Sequence, residues 1–149
     1  MALGGIILAA VLLGANPSAA TDVCIAIDDR VNLSPRAREH FQEELQALVA
    51  GDGEACVLVR FRLAPPLRYG TALGLAFTER GRVLPIVEVY VRPIERLLDK
   101  GFHAAALGRA LAKVAAHEIL HYRLQRFHHD ASGLFKHCFS QAELVALTR

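Results

Sequence analysis

The hydrophobic pattern along the chain changes period several times, and each change predicts a different element. Short runs that are apolar or alternate between apolar and polar residues are typical of strands. Four such runs occur, at 23–27, 55–63, 72–77 and 83–91. Between the first two runs, apolar residues recur at three- and four-residue spacing after Ser34 and Pro35. Serine is a good N-cap and proline suits the first helical turn, so this segment is predicted to be an amphipathic helix.

The second half of the chain predicts a hairpin and two further helices. Residues 78–82 separate the third and fourth strand-like runs and are interpreted as a hairpin loop. Pro85 cannot donate a backbone hydrogen bond, so we expect its strand to lie at an edge of the sheet. A short helix at 93–98 then precedes a long helix that is rich in alanine and leucine and begins near Ala104.

This order of elements predicts an α+β fold in which helices back one small mixed sheet. Composition agrees with a single domain, because 149 residues of which 53% are hydrophobic supply enough apolar material for one core. The formal charge of +2 is small, and no basic block is interleaved with aromatic residues. We therefore expect no nucleic-acid partner.

The long helix carries an HExxH run formed by His117, Glu118 and His121. Histidines four residues apart lie on one helical face with Cβ atoms about 5–6 Å apart, so both imidazoles can reach one metal ion. Glu118 follows the first histidine directly and is placed to accept a proton from a water molecule on that metal. The run therefore predicts a zinc cofactor, with His117 and His121 as ligands and Glu118 as the catalytic base.

A catalytic zinc site needs a third protein ligand, and the residues after His121 offer three candidates. His129 is the expected ligand, with His128 as the alternative. A straight helix would carry residue 128 about 10 Å past His121, so the helix must end and the chain must fold back. Glu143 is a further alternative, although Ser140 three residues before it forms a capping-box pattern that favours a helix cap.

These residues resemble the zincin metallopeptidases, in which a strand–helix–strand–strand–strand order precedes an HExxH helix. The resemblance covers roughly 72–144. Residues 129–136 are similar to the end of the metzincin zinc signature and the tight turn beneath its metal, with Phe135 where that family has methionine. Leu124 and Phe127 stand where metzincins have glycine and their third histidine, so the strict signature is not met. The resemblance implies a zincin-like fold in which an edge strand of the sheet binds extended substrate, and 86–91 is the candidate for that strand.

The function predicted from these features is that of a secreted zinc-dependent metallopeptidase. It would hydrolyse peptide bonds by attack of a zinc-bound water assisted by Glu118, and its partner would be a peptide or protein substrate. The alternative is a secreted zinc-binding interaction module without catalysis. A purely structural zinc site holds four protein ligands and has no need of an acid beside them, so the role of Glu118 separates the two hypotheses.

The first twenty residues are predicted to be a signal peptide. They carry no charge, are apolar from 2 to 13, and end with small residues at Ser18 and Ala20 that fit a cleavage site. An N-terminal anchor is the alternative. Residues 21–149 would then form the metallopeptidase domain, secreted or periplasmic, with no stable membrane association once the leader is cleaved.

The other residues with metal-binding or redox chemistry that enter the predictions are the three cysteines, His103 and His137. Cys24 and Cys56 both precede strand-like runs and are candidates for a disulfide bridge, with buried reduced thiols as the alternative. Cys138 is a weaker zinc candidate, because thiolates belong mainly to structural sites. His103 and His137 are expected at the surface or around the ligands.

Overall fold

The computed structural model describes residues 24–50 and 56–147. The elements in chain order are β1 Ile25–Asp29, α1 Pro35–Val49, β2 Val57–Arg62, a 3₁₀ turn Leu67–Tyr69, β3 Gly74–Glu79, β4 Arg82–Tyr90, α2 Val91–Leu97, α3 Ala104–Leu124 and α4 Gln141–Val145. The predicted leader or anchor at 1–20 lies outside the described residues. Within the described ranges, no helix has both the length and the apolar character needed to cross a membrane.

The four strands form one mixed sheet in the order β1-β2-β4-β3, which confirms the predicted α+β class. β1 pairs with β2, and β2 with β4, in parallel, whereas β3 and β4 form an antiparallel hairpin. The hairpin turn is shorter than predicted. Arg80 and Gly81 have φ values of 48° and 76°, and two consecutive left-handed residues make a two-residue turn that matches the twist of the strands.

The prediction that 86–91 runs along a sheet edge is wrong, because β4 lies between β2 and β3. Pro85 is tolerated there because the ladder with β2 begins only at Ile86. On its other side, the pairing with β3 shifts between Ala76 and Thr78, opposite the proline. A bulge therefore removes the need for the hydrogen bond that proline cannot donate. Among the described strands, β3 forms this edge of the sheet.

One apolar core lies between the sheet and the helices α1 and α3. In β2, Val57, Val59 and Phe61 are buried and alternate with partly exposed residues, as expected for a strand with one covered face. Phe61 meets Phe41 of α1 edge to face, with ring centroids 4.9 Å apart. Almost every residue of α3 from 105 to 119 is buried, so this helix runs through the middle of the core.

A disulfide joins Cys24 and Cys56 at the starts of the neighbouring strands β1 and β2, which confirms the candidate pairing. The bridge closes a sequence separation of 32 residues. Such a crosslink stabilises mainly by restricting the unfolded chain. Cys138 is the exposed free thiol among the described cysteines.

Gly108 allows α1 and α3 to approach closely. If it does, replacing it by alanine should lower the free energy of unfolding, whereas helix propensity alone predicts an increase. A Cβ at this position would lie 2.9 Å from both His40 Cβ and the backbone nitrogen of Phe41, and closer still to a backbone carbonyl of α1. Helix propensity alone predicts that Gly108→Ala stabilises by about 1 kcal/mol. We expect the opposite, a loss of about 1–3 kcal/mol from overpacking, measured by urea unfolding of chelator-treated protein. A stabilised variant would contradict the close packing of these helices.

Candidate metal centre

The HExxH run lies in the last two turns of α3, where the helix leaves the core and meets a cleft. His117 and Glu118 are buried, and His121, one turn later, is partly exposed. Their position on one helical face brings Nε2 of His117 to 3.3 Å from Nε2 of His121. The two imidazoles therefore point at one spot beside the helix, as their spacing of four residues predicts.

The helix ends at Leu124, and the chain then reverses direction. This reversal is needed if a later histidine is to reach the same metal position as His117 and His121. Gln125 adopts the left-handed conformation with φ 49°, which breaks the helical path. Its side-chain amide donates to the carbonyl oxygen of Val83 and accepts from the backbone N–H of the same residue, both at 3.0 Å. The glutamine thus replaces a strand neighbour at the start of β4 and ties the reversal to the sheet.

The reversal brings His129, and not His128, to the imidazole pair. Nε2 of His129 lies 3.2 Å from Nε2 of His117 and 3.2 Å from Nε2 of His121, so three ring nitrogens form a nearly equilateral triangle. His128 instead accepts a hydrogen bond from Arg126 Nε at 3.2 Å. The ring nitrogens of His117, His121 and His129 are therefore close enough together to bind one metal ion.

The short distance between Nε2 of His117 and Nε2 of His121 is not a hydrogen bond. Nδ1 of His117 donates to the carbonyl oxygen of Leu134 at 2.9 Å, and Nδ1 of His121 donates to that of Arg126 at 2.6 Å. A neutral imidazole that carries its proton on Nδ1 has a bare lone pair on Nε2. Two lone pairs that face each other at 3.3 Å repel unless a cation lies between them. The backbone therefore holds these rings in the tautomer that a metal needs.

The geometry and the protonation of the triangle both fit a metal ion. Tetrahedral zinc with Zn–N distances of about 2.0–2.1 Å requires ligand nitrogens about 3.3–3.4 Å apart, close to the observed edges of 3.2–3.3 Å. Burial lowers the pKa of His117 to about 4, and burial also lowers the pKa of His129. Both rings are thus neutral ligands near neutral pH. An all-imidazole set suits zinc and other transition metals.

Phe135 forms the floor of the site. The side chain is buried, and its ring centroid lies 4.6 Å from that of His121 and 5.5 Å from that of His117. Asp130 donates its backbone N–H to the carbonyl oxygen of Phe135 at 2.8 Å, which closes the turn below the histidines. The aromatic ring thus fills the space under the three imidazoles and limits their rotation.

Glu118 lies beside the triangle, in contact with the edge strand β3. Burial raises the pKa of its carboxyl group to about 8, and a hydrogen bond from the backbone N–H of Ala76 opposes this rise. Gly74 makes room for the carboxylate, since a Cβ there would lie 2.9 Å from both Cγ and Oε1 of Glu118. A dication nearby would favour the ionised form of the same group.

An open cleft of about 790 Å³ runs past Glu118 and the imidazoles. Its walls come from the start of β3, from the loop before it and from α2, and they are mostly apolar; among the residues that line it are Leu73, Leu75, Pro93, Leu97, Val114 and Phe139. Apolar clefts with a few convergent polar groups are typical of ligand sites. Here the polar groups converge at the histidines.

The other candidate residues have different structural roles. Glu143 and Ser140 form the predicted capping box at the start of α4. An ion pair with Lys136 and the bonds to Ser140 hold the pKa of Glu143 at about 2, and this carboxylate is not part of the imidazole group. His103 caps α3, because its Nδ1 accepts from the backbone N–H of Ala106 at 3.2 Å. Cys138 contributes to the cleft wall.

Sequence reasoning missed three contributors to the site. Two are the carbonyl groups of Leu134 and Arg126, which orient the rings of His117 and His121. Every residue has a backbone carbonyl group, so residue type does not indicate which of them accepts such a hydrogen bond. The third is Gly74. A glycine inside a strand-like run is a known sign of close approach by another group, so this residue could have been singled out.

No family model matches the chain, and neither a curated protein nor a solved structure matches it.

The triangle predicts opposite results for the two neighbouring histidines. If the triangle binds zinc, His129→Ala would remove one of three ligands and should weaken zinc binding by more than the roughly 10- to 100-fold that loss of an outer partner costs. His128→Ala should leave zinc affinity unchanged, because that ring contacts Arg126 instead. Chelator competition on both variants measures this. Equal losses of affinity in the two variants would contradict the assignment.

Proposed function

We propose that the protein is a zinc metallopeptidase of the zincin type that acts outside the cytoplasm. One observation carries the proposal: three Nε2 atoms with the spacing of zinc ligands lie beside a buried carboxyl group at the wall of an open cleft. A structural zinc site holds four protein ligands, whereas this triangle leaves a fourth position on the cleft side. A purely structural zinc site has no need of an acid beside the metal, so the position of Glu118 supports a reaction there.

A zinc ion bound to the triangle would polarise a substrate carbonyl and lower the pKa of water at the open position. Glu118 is the group of this chain that can move the proton. In its ionised form it accepts a proton from the attacking water and then delivers it to the nitrogen of the leaving amine. The N–H of Ala76 donates to this carboxylate and holds it in place.

The edge strand β3 supports a peptide as the substrate. Among the described strands β3 pairs only with β4, so its other edge is free to accept an extended chain. Gly74 and Leu75 at its start also line the cleft beside Glu118. A peptide paired with this edge would gain main-chain hydrogen bonds and pass its backbone across the metal position. We therefore assign to β3, instead of 86–91, the role of the sheet edge that binds extended substrate.

The disulfide supports a location outside the cytoplasm. Bridges such as Cys24–Cys56 persist in secreted and periplasmic proteins and are rare where glutathione keeps thiols reduced. We therefore infer that the protein works in an oxidising compartment.

The decisive variant is Glu118→Gln. It should bind zinc as well as the wild type and lose about 10²- to 10⁴-fold in kcat, the usual contribution of a general base. Zinc content by elemental analysis and cleavage of a diverse peptide library measure the two properties. Glu39→Gln is the matched control, because it makes the same change at an exposed carboxylate of α1 that does not line the cleft; it should keep zinc and activity.

The same experiment tests the interaction-module alternative. If the wild type and Glu118→Gln both bind zinc and neither cleaves any peptide, the peptidase proposal fails and a zinc-binding module remains.

Gly74→Ala should disturb catalysis without touching a metal ligand. The added methyl group would press on Glu118 and on Val114 Cγ1, 2.8 Å away. A displacement of the base by about 1 Å can cost about 100-fold in rate, so kcat should fall by about this factor while zinc affinity stays the same. Gly81→Ala in the hairpin turn is the control, since it strains the backbone but meets no atom within 4 Å. Unchanged kcat in Gly74→Ala would argue against the assigned position of the base.

A further inference from the structure

The three imidazoles differ in what holds their outer nitrogen. Nδ1 of His117 and Nδ1 of His121 each donate to a backbone carbonyl. Nδ1 of His129 lies instead 3.4 Å from Nδ1 of His137, and the two rings meet edge to face with centroids 5.0 Å apart and planes at 72°. The third ring is therefore oriented by a side chain, which can be replaced by mutation, whereas the carbonyl partners cannot.

The direction of this hydrogen bond follows from the triangle. Nε2 of His129 faces the other two Nε2 atoms at 3.2 Å and must keep its lone pair to bind a metal. The proton of His129 is therefore on Nδ1, which makes this nitrogen the donor. The atom of His137 that lies within reach is its own Nδ1, so this nitrogen must be the acceptor and carry a lone pair. A neutral ring that accepts through Nδ1 carries its proton on Nε2.

His137 is itself held in place by its neighbours in sequence. Lys136 forms an ion pair with Glu143 of α4. Phe139 packs edge to face on His117, with ring centroids 5.7 Å apart. The segment between them is thus fixed at both ends, and His137 and Phe139 both line the cleft. An exposed ring on such a segment can orient another ring.

We propose that His137 is a positioning residue for the metal centre: it accepts a hydrogen bond from Nδ1–H of His129 and so fixes the orientation and tautomer of the third ligand. This inference rests on the metal site of the proposed function. It also places the remaining N–H of His137, at Nε2, on a residue of the cleft wall. Outer partners of metal-binding histidines raise ligand basicity and reduce the freedom lost on binding.

The test compares zinc affinities of full-length variants by chelator competition. His137→Ala should bind zinc about 10- to 100-fold more weakly than the wild type. His137→Asn should recover much of this loss, because its Oδ1 can accept where Nδ1 of the imidazole did. His128→Ala, an exposed histidine of the same segment that contacts Arg126, is the matched control and should bind normally. Wild-type affinity in His137→Ala, or an asparagine variant no better than alanine, would overturn the proposal.

Nitrogen NMR of the zinc-loaded protein gives a second readout that a merely structural role would not move. We expect the proton of His129 on Nδ1 and that of His137 on Nε2; a proton on Nδ1 of both rings would refute the bond. Failure here is distinct from failure of the proposed function. If His129→Ala binds zinc normally the metal site itself is wrong, whereas loss of affinity in His129→Ala alone removes only the role of His137.

Discussion

Two imidazole rings that each donate Nδ1–H to a backbone carbonyl have only a lone pair left at Nε2, and in this protein those lone pairs face each other. His117 and His121 are held in this way by carbonyls of the segment that follows their own helix. The arrangement is unfavourable without a cation and favourable with one. The rest of the site depends on this constraint, because the same segment also supplies the third ring and the aromatic floor.

The fold provides what such a constraint needs, which is a rigid helix end. α3 is buried along most of its length and packs closely on α1 through Gly108, so the last turns that carry the histidines cannot move independently of the core. The chain after it is attached at several points. Gln125 binds the start of β4, and Lys113 of α3 donates to the carbonyl oxygens of Glu143 and Ala146 at α4. The three histidines therefore lie on elements that the core already orders.

The sheet and the site meet at β3. Its glycine at position 74 lets the strand lie against Glu118, and the N–H of Ala76 binds the carboxylate. Burial raises the pKa of Glu118 and this hydrogen bond lowers it; burial has the larger effect, so the pKa is raised to about 8. Among the described strands β3 pairs only with β4, so the strand that binds this carboxylate also has the edge that the proposed peptide substrate would need.

Much of this molecule follows from local pattern. The order of strands and helices, the N-cap at Ser34, the capping box at Ser140 and the pairing potential of His117 with His121 all depend on residues within about one helical turn, or on a period that a linear sequence displays. The reversal after α3 was also required by distance, since a straight helix would carry any later histidine away from the first two.

Other features depended on which segments become neighbours in space, and sequence alone left them open. His128 and His129 are adjacent and chemically identical, and only the angle of the fold-back, set by Gln125 on β4, turns one toward the triangle and the other toward Arg126. The place of β4 inside the sheet was misjudged because a bulge in β4 itself, around Pro85, removed the penalty that this proline implies. Strand order and ring orientation are set by long-range pairing and packing, which residue spacing does not encode.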